Sequence, residues 1–264
     1  MDAIGAFGIT EPAHGSDLNS IETVAVRDGD FYILNGTKKW VGNASVADLS
    51  IIFAKDEQTG QIAGFVVEKG TPGYDARPIS KKIAVRSSIQ ADIRLTDVRV
   101  PVENRLTEGS SFREVGEVLK GVRPMVAWQA LGIATGAYEA ALDYTLERSQ
   151  FGRPVAAFQL VQEKLADMAG AVSSMRLMTL RASRLLDDGR LTHGGASLVK
   201  RDCARLARRV CRDARDLLGG NGILLDHDVA RHFADVEALY TYEGTDHVQS
   251  LLVAREITGL SALK

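Results

Sequence analysis

Cysteine is scarce in this chain: 264 residues contain only Cys203 and Cys211. They fall in one helical pattern, too far apart for a bridge within that helix, and no metal-binding spacing surrounds them. Buried thiols in a reducing, cytoplasmic setting are therefore expected, and no metal centre is. Long apolar runs are also missing. None approaches the ~20 residues that a membrane span needs, and the start, "MDAIGAFGITEP", lacks the charged opening and apolar centre of a signal peptide. No basic block stands out and the net charge is −2, so neither nucleic acid nor a membrane is an expected partner.

What is present is the mix of a soluble globular protein, 45% apolar and 25% charged, on a chain long enough for two domains. Residues 1–108 read as strands and turns. Short β-branched and aromatic runs are separated by Asp28-Gly29 and Asn35-Gly36, both hairpin signals, and "LSIIFA", "IAGFVVE" and "IQADIRL" continue the pattern. This predicts an antiparallel β-barrel or sandwich. From 109 to 264 the period changes. Val115, Leu119, Val122, Val126, Gln129, Ile133 and Gly136 alternate steps of four and three, and so do Val161–Met175 and Ala196–Leu217. Three long helices and shorter ones around Val229–Leu239 and Asp246–Ile257 make an up-down bundle, so the fold class is α+β. Met168, Met175 and Met178 read as core filler.

Several short segments carry chemistry. "FGITEPAHGSD" offers hydroxyls and free backbone N–H groups in a tight loop, although an Asp/Ser-rich turn needs no ligand. "KKWVGNAS" places Trp40 beside Gly42, where a ligand platform competes with a core position. "RSQFGRP" gathers Arg148, Gln150, Phe151 and Arg153, and arginines next to an aromatic suit a phosphate and a stacked ring. "LLGGNGI" is a glycine-rich helix end that serves as a C-cap or permits close backbone approach. In "LYTYEGTDHVQ" a single carboxylate, Glu243, stands between Tyr242 and Gly244, with no lysine at helical spacing to mark a solvated face.

Taken in order, these segments resemble the acyl-CoA dehydrogenase family from about Ala6 to Gly259. "QALGIATGAYEAALDYTLERSQFG", "ARDLLGGNGI" and "TYEGTDH" look closest to its glutaryl-CoA dehydrogenase branch. The resemblance implies an FAD-dependent oxidoreductase of fatty acid or amino acid catabolism. It would convert an acyl-CoA thioester to the trans-2-enoyl-CoA and pass electrons to an acceptor such as electron-transfer flavoprotein. A non-catalytic flavin-binding or scaffold subunit is the alternative; such a subunit has no need of the carboxylate at 243. By the same resemblance Glu243 is the catalytic base, and a water-poor pocket would tune it upward. Thr10, Gly15, Ser16, Trp40 and Gly42 match positions around the flavin. Arg148, Gln150, Phe151, Asp216, Gly219 and Gly220 match FAD contacts shared between subunits, which implies a homotetramer or dimer, and Thr245 and His247 follow the base where the family again touches FAD. Ser16, Arg123, Tyr242 and Gly244 match the substrate side. His14 and His193 match nothing and are expected to be solvated turn residues.

Three departures from the family pattern stand out. Gly42 replaces a hydroxyl residue, so only backbone can donate there. His247 replaces a glutamine. The family normally begins with an all-helical domain of a hundred or more residues that walls one side of the acyl pocket, and this chain is expected to start at that domain's far edge.

Overall fold

The computed structural model describes residues 2–107 and 112–262 and divides the chain into two compact units, Met1–Lys82 with Arg86–Glu117 and Ile83–Val85 with Val118–Lys264. The domain boundary expected between 108 and 109 lies outside the described residues. Among the described residues no helix is long and apolar enough to cross a membrane.

The first unit is one seven-stranded sheet: β1 (Gly5–Gly8), β2 (Val24–Asp28), β3 (Phe31–Gly42), β4 (Leu49–Asp56), β5 (Ile62–Glu68), β6 (Tyr74–Pro78) and β7 (Gln90–Pro101), ordered β1-β4-β2-β3-β7-β6 with β5 on β4. The hairpin turn at Asp28-Gly29 joins β2 to β3 as its residues require. The sheet is mixed and not wholly antiparallel, because β4 runs parallel to both β1 and β2. Turn residues announce local hairpins, whereas parallel pairing between distant strands leaves no short-range mark. Asn35-Gly36 likewise makes no hairpin. It lies inside β3 at a register shift against β7, a bulge in which Gly36 has φ +148° and Thr23 would lie 2.6 Å from an added Cβ. Inward-facing Leu34, Ile52, Phe65, Ile93, Val98 and Val100 fill the core of this unit.

One charged pair is buried with that core. Lys38 of β3 and Glu11 of the preceding loop are 2.7 Å apart, with side chains 0% and 4% exposed. Lys38 also donates to the Ile9 carbonyl at 3.2 Å, while Glu11 accepts from the Thr23 hydroxyl and from the N–H groups of Glu22 and Thr23. Burial alone would raise the Glu11 carboxyl; these donors outweigh it and hold the group below its ordinary value.

The second unit holds α1 (Phe112–Glu147, its first turns counted with the first unit), the short pair β8 (Ser149–Gln150) and β9 (Arg153–Pro154), α2 (Gln159–Asp187), α3 (His193–Leu217), α4 (Asp228–Thr241) and α5 (Asp246–Thr258). α3 packs against α2, α4 and α5. The expected stripes on α2 and α3 are buried at Met168, Val172 and Met175 and at Ala196, Val199, Cys203, Val210 and Ala214, and both cysteines are free, buried thiols. On α1 the expected stripe is displaced. Val126 is buried but Gln129 is exposed, and the packed face is Ala127, Ala130, Ala134, Ala137 and Ala141. Alanines let helices approach closely, and a search for large apolar residues passes over them.

A buried pair that loses one partner leaves an uncompensated charge. Lys38→Met should lower the unfolding free energy of the first unit by about 3–5 kcal/mol, and adding Glu11→Gln should restore part of it. Guanidinium denaturation followed by Trp40 fluorescence, in a Trp128→Phe background that removes the other tryptophan, reads this directly. An unchanged midpoint for Lys38→Met contradicts it.

Candidate active site

α4 ends where the Tyr242 N–H closes on the Ala238 carbonyl, and α5 begins where Thr245 caps it by accepting from the Val248 N–H at 3.3 Å. Between them Glu243 has φ +55° and Gly244 φ +89°. A left-handed conformation strains a glutamate by about 1–3 kcal/mol and persists only where its surroundings impose it. Here they do. Gln249 of α5 donates Nε2 to the Glu243 carbonyl at 2.7 Å, and Lys200 of α3 donates Nζ to the Gly244 carbonyl at 2.7 Å and to the Tyr240 carbonyl at 3.5 Å. Gly244 has no substitute, since an added Cβ would stand 2.2 Å from Gln249 Nε2. The start of α5 is tied to α3 by a two-point pair in which Arg205 meets Asp246 at 2.6 and 2.8 Å.

The Glu243 carboxyl itself is left without such support. Its Oε2 is buried with no hydrogen-bond partner. Two cations share its surroundings: Lys200, and Arg123 of α1, which is 7% exposed, donates Nη1 to Ser197 Oγ at 3.3 Å and keeps a buried, unpartnered Nε. Burial raises the Glu243 carboxyl above its ordinary value, and the charges of Arg123 and Lys200 counter this only in part. The cations respond in turn. Burial lowers the Lys200 ammonium to about 8 against the pull of Glu243 and Asp246, and burial lowers Arg123 against the pull of Glu243. Tyr242 hydrogen-bonds Gln129 Oε1 at 2.6 Å, and burial lifts its phenol to about 12. A carboxyl with a raised proton affinity and a free oxygen in a water-poor setting can accept a proton from a weak carbon acid.

A second cluster forms where β8 and β9 face the end of α3. Tyr144, Arg148, Gln150, Val155, Leu217, Leu218, Gly219, Gly220 and Asn221 line a groove of about 400 Å³. The structure thus brings together Arg148, Gln150, Gly219 and Gly220, which lie far apart in sequence. A Cβ added at Gly219 or Gly220 would meet nothing within 4 Å, so backbone is open to a ligand there. Phe151 is 92% exposed with φ +51°, its ring meeting Phe158 edge-on with centroids 6.0 Å apart. Asp216 is paired with Lys164, whose hydrogen bond keeps the carboxyl low. Thr245 serves as the α5 cap, and His247 is exposed in the first turn of that helix.

In the first unit Thr10 is tied to the residue before Trp40, the Lys39 N–H donating to the Thr10 carbonyl at 2.8 Å. Strand alternation would place Lys38 and Trp40 on one face. A register shift after Lys38 breaks the phase, so Trp40 has φ +63° and is 53% exposed while Lys38 is buried. Gly42 is exposed with open space at its Cβ position, and Gly15 and Ser16 are exposed in the preceding loop. His193 is exposed as expected. His14 is not a free turn residue: its side chain is 19% exposed and stands 3.3 Å from Glu22.

Sequence reasoning missed Lys200, Gln249, Ser197, Gln129 and the Glu11–Lys38 pair. Lys200 could have been found, because it lies beside Val199 on the buried stripe Ala196–Val199–Cys203, where a cation needs a partner. Gln249 gives no such signal.

Residues 6–98 match the middle domain of acyl-CoA dehydrogenases and residues 112–258 match their C-terminal domain. A cyclohex-1-ene-1-carbonyl-CoA dehydrogenase of Geobacter metallireducens is 39% identical over 259 residues, which cover 96% of this chain and 68% of that protein. A crystal structure of glutaryl-CoA dehydrogenase from Mycobacterium smegmatis superposes with a TM-score of 0.95 at 39% identity, over 99% of this chain and 67% of the other. Another from that organism, a glutaryl-CoA dehydrogenase in complex with FADH2, gives a TM-score of 0.96 at 35% identity over 100% and 68%.

A raised carboxyl binds its proton more tightly in the fold than in the unfolded chain. Glu243 therefore contributes stability that is present below its unfolded value and lost as pH rises through the folded one. Glu243→Gln removes that loss, so its stability relative to the parent should increase from pH 4 to pH 8. Denaturation of both proteins at the two pH values checks this, and a relative stability that falls with pH would mean that the carboxylate is well paired.

Proposed function

Because this chain belongs to the acyl-CoA dehydrogenase family, we propose that it removes the α and β hydrogens of an acyl-CoA thioester, with Glu243 as the base. The observation that carries this reading is the buried, partnerless Oε2 of Glu243, on whose carboxyl Arg123 and Lys200 act through space. Its affinity for a proton suits the task of taking one from the carbon next to the thioester carbonyl, and the electrons of that C–H bond become the new C=C bond. The Glu243 N–H is the group assigned to the thioester oxygen, where a donor favours the negative charge that develops as the α-proton leaves. Arg123 and Lys200 stabilise the carboxylate between turnovers and favour its return to that form. On the resemblance to the family, Tyr242 and Gly244 are assigned to the substrate, as is Ser16 of the first unit.

FAD, when bound, supplies the acceptor for the β-hydrogen and its bonding pair. The residues present fit it in chemistry. The groove beside Arg148 offers a cation, an amide and open glycine backbone suited to a diphosphate, with exposed Phe151 nearby for a ring. Gln150, Asp216, Gly219 and Gly220 are assigned to the same part, and Thr245 and His247 to FAD where it approaches the turn of Glu243. Thr10, Gly15, Ser16, Trp40 and Gly42 are assigned to the flavin part, where an exposed tryptophan and backbone without a side chain suit a flat heteroaromatic. A homodimer or homotetramer follows if the Arg148 groove serves the cofactor of a second copy, and electron-transfer flavoprotein is the acceptor class assigned to the reduced cofactor. The acyl groups named for the relatives differ, cyclic in one and a dicarboxylate in another, and a glutaryl-type substrate is the finer reading kept for this chain.

Glu243→Gln should retain FAD and lose substrate-driven bleaching of its visible band by more than the ~10²–10⁴ typical of a general base. Stopped-flow mixing with a panel of acyl-CoA esters reads this, and bleaching at the parental rate by the variant removes Glu243 from the role. Arg148→Ala should weaken FAD retention by roughly 1.5–3 kcal/mol, the worth of a charge-assisted contact. The ratio of bound flavin to protein after gel filtration measures it, and equal occupancy with unchanged oligomer mass counts against a shared site.

A further inference from the structure

The carbonyls of the Glu243–Gly244 turn end on two side chains, neither of which is assigned to take a proton from the substrate. Gln249 is fully buried, and its Nε2 reaches the Glu243 carbonyl at 2.7 Å and the Gly244 carbonyl at 3.4 Å. Lys200 is fully buried, and its Nζ takes the Gly244 and Tyr240 carbonyls. Both donors come from helices that flank the turn, one from α3 and one from α5. We infer that Lys200 and Gln249 are positioning residues that clamp the left-handed Glu243–Gly244 backbone and so fix the base and its N–H in place. The inference rests on Glu243 acting as the base.

The argument is one of alternatives. A glutamate at φ +55° gains from relaxing to ordinary backbone, and the partners of the turn's carbonyls oppose that directly. A structural ion pair would place the Lys200 ammonium on a carboxylate. Here it goes to carbonyl oxygens, although Glu243 and Asp246 are near enough to act on its charge. Asp246 is already held by Arg205, and Glu243 Oε2 stays unpartnered, so the lysine secures the backbone and leaves that oxygen free. Gln249 does the same without a charge; its Oε1 is buried and unpartnered, so the amide is oriented by what its Nε2 donates to. A base must sit within a fraction of an ångström of its proton, and a displacement of about 1 Å costs on the order of a hundredfold in rate.

The charged groups that act on Lys200 are Glu243 in the turn, Asp246 on α5 and Arg123 on α1, with Arg205 of its own helix engaged by Asp246. Replacing Lys200 by methionine leaves Arg123 opposite Glu243, so the buried site keeps a balanced charge. The test compares Lys200→Met, Gln249→Met and Glu243→Gln in the FAD-loaded protein by two readouts. The first is amide hydrogen exchange over residues 239–250. The second is the rate of flavin reduction by acyl-CoA across pH. Both clamp variants should exchange faster in this segment and not elsewhere in α3 or α5. Both should reduce flavin about tenfold to a hundredfold more slowly at saturating substrate, with apparent substrate affinity unchanged. Lys200→Met should also move the acidic midpoint of the rate to higher pH, because a cation that favoured the carboxylate is gone, whereas Gln249→Met should leave the midpoint in place. Exchange and rates within twofold of the parent in both variants would overturn the inference. Should Glu243→Gln still reduce flavin at the parental rate, the base assignment falls, and the exchange data still report the clamp by itself. Gln249→Met changes no charge, so it decides the question if Lys200→Met does not fold.

Discussion

A carboxylate oxygen kept out of water with no donor is a standing cost of about 1–3 kcal/mol, and Glu243 Oε2 is in that condition. The same residue carries backbone strain at φ +55°. Two costs at one residue persist only where neighbouring elements impose them. The second unit does so with one residue from each side: Arg123 from α1, Lys200 from α3 and Gln249 from α5. The charged heads of the first two act on the carboxyl through space, and the last two hold the backbone. Arg205 and Asp246 then fix the start of α5, so the turn has little room to relax.

The first unit contains the opposite arrangement. Glu11 is as buried as a carboxylate can be, yet its oxygens receive the Lys38 ammonium, the Thr23 hydroxyl and two backbone N–H groups, and its proton affinity falls. Glu243 keeps an empty oxygen and its proton affinity rises. Glu11, buried, and Glu243, half-buried with one oxygen out of water, thus differ in proton affinity through the donors that reach them. Glu11 ties the loop bearing Thr10, Gly15 and Ser16 to β3, the strand that presents Trp40.

Much of this was legible in the sequence. The change of period near residue 110 separates strands from helices, and the long helices lie where the four-three alternation places them. Glu243 stood out because an aromatic and a glycine flank it and no lysine follows at helical spacing. Arg148 and Gly219–Gly220 read as ligand-binding types, but only the fold brings them to one groove. What was not legible has physical causes. Parallel pairing of β4 with β1 and β2 carries no turn signal. Asn35-Gly36 has the residues of a hairpin and serves a bulge, because Asn35 is engaged by Asp97 across the sheet. The alanine face of α1 is invisible to a search for large side chains. Lys200, set among the arginines of "VKRDCARLARR", resembles a surface charge until its place on the buried stripe is counted.

The account stands or falls on the state of the Glu243 carboxyl. Carbon-13 labelling of glutamate side chains, with the resonance assigned by its loss in Glu243→Gln, allows that one group to be titrated by NMR in the intact chain without substrate. A midpoint above the ordinary glutamate range, well separated from the exposed glutamates, is the predicted result. A midpoint at or below that range would mean that Oε2 has a stabilising partner, and it would contradict the claim that this carboxylate is held in readiness as a base.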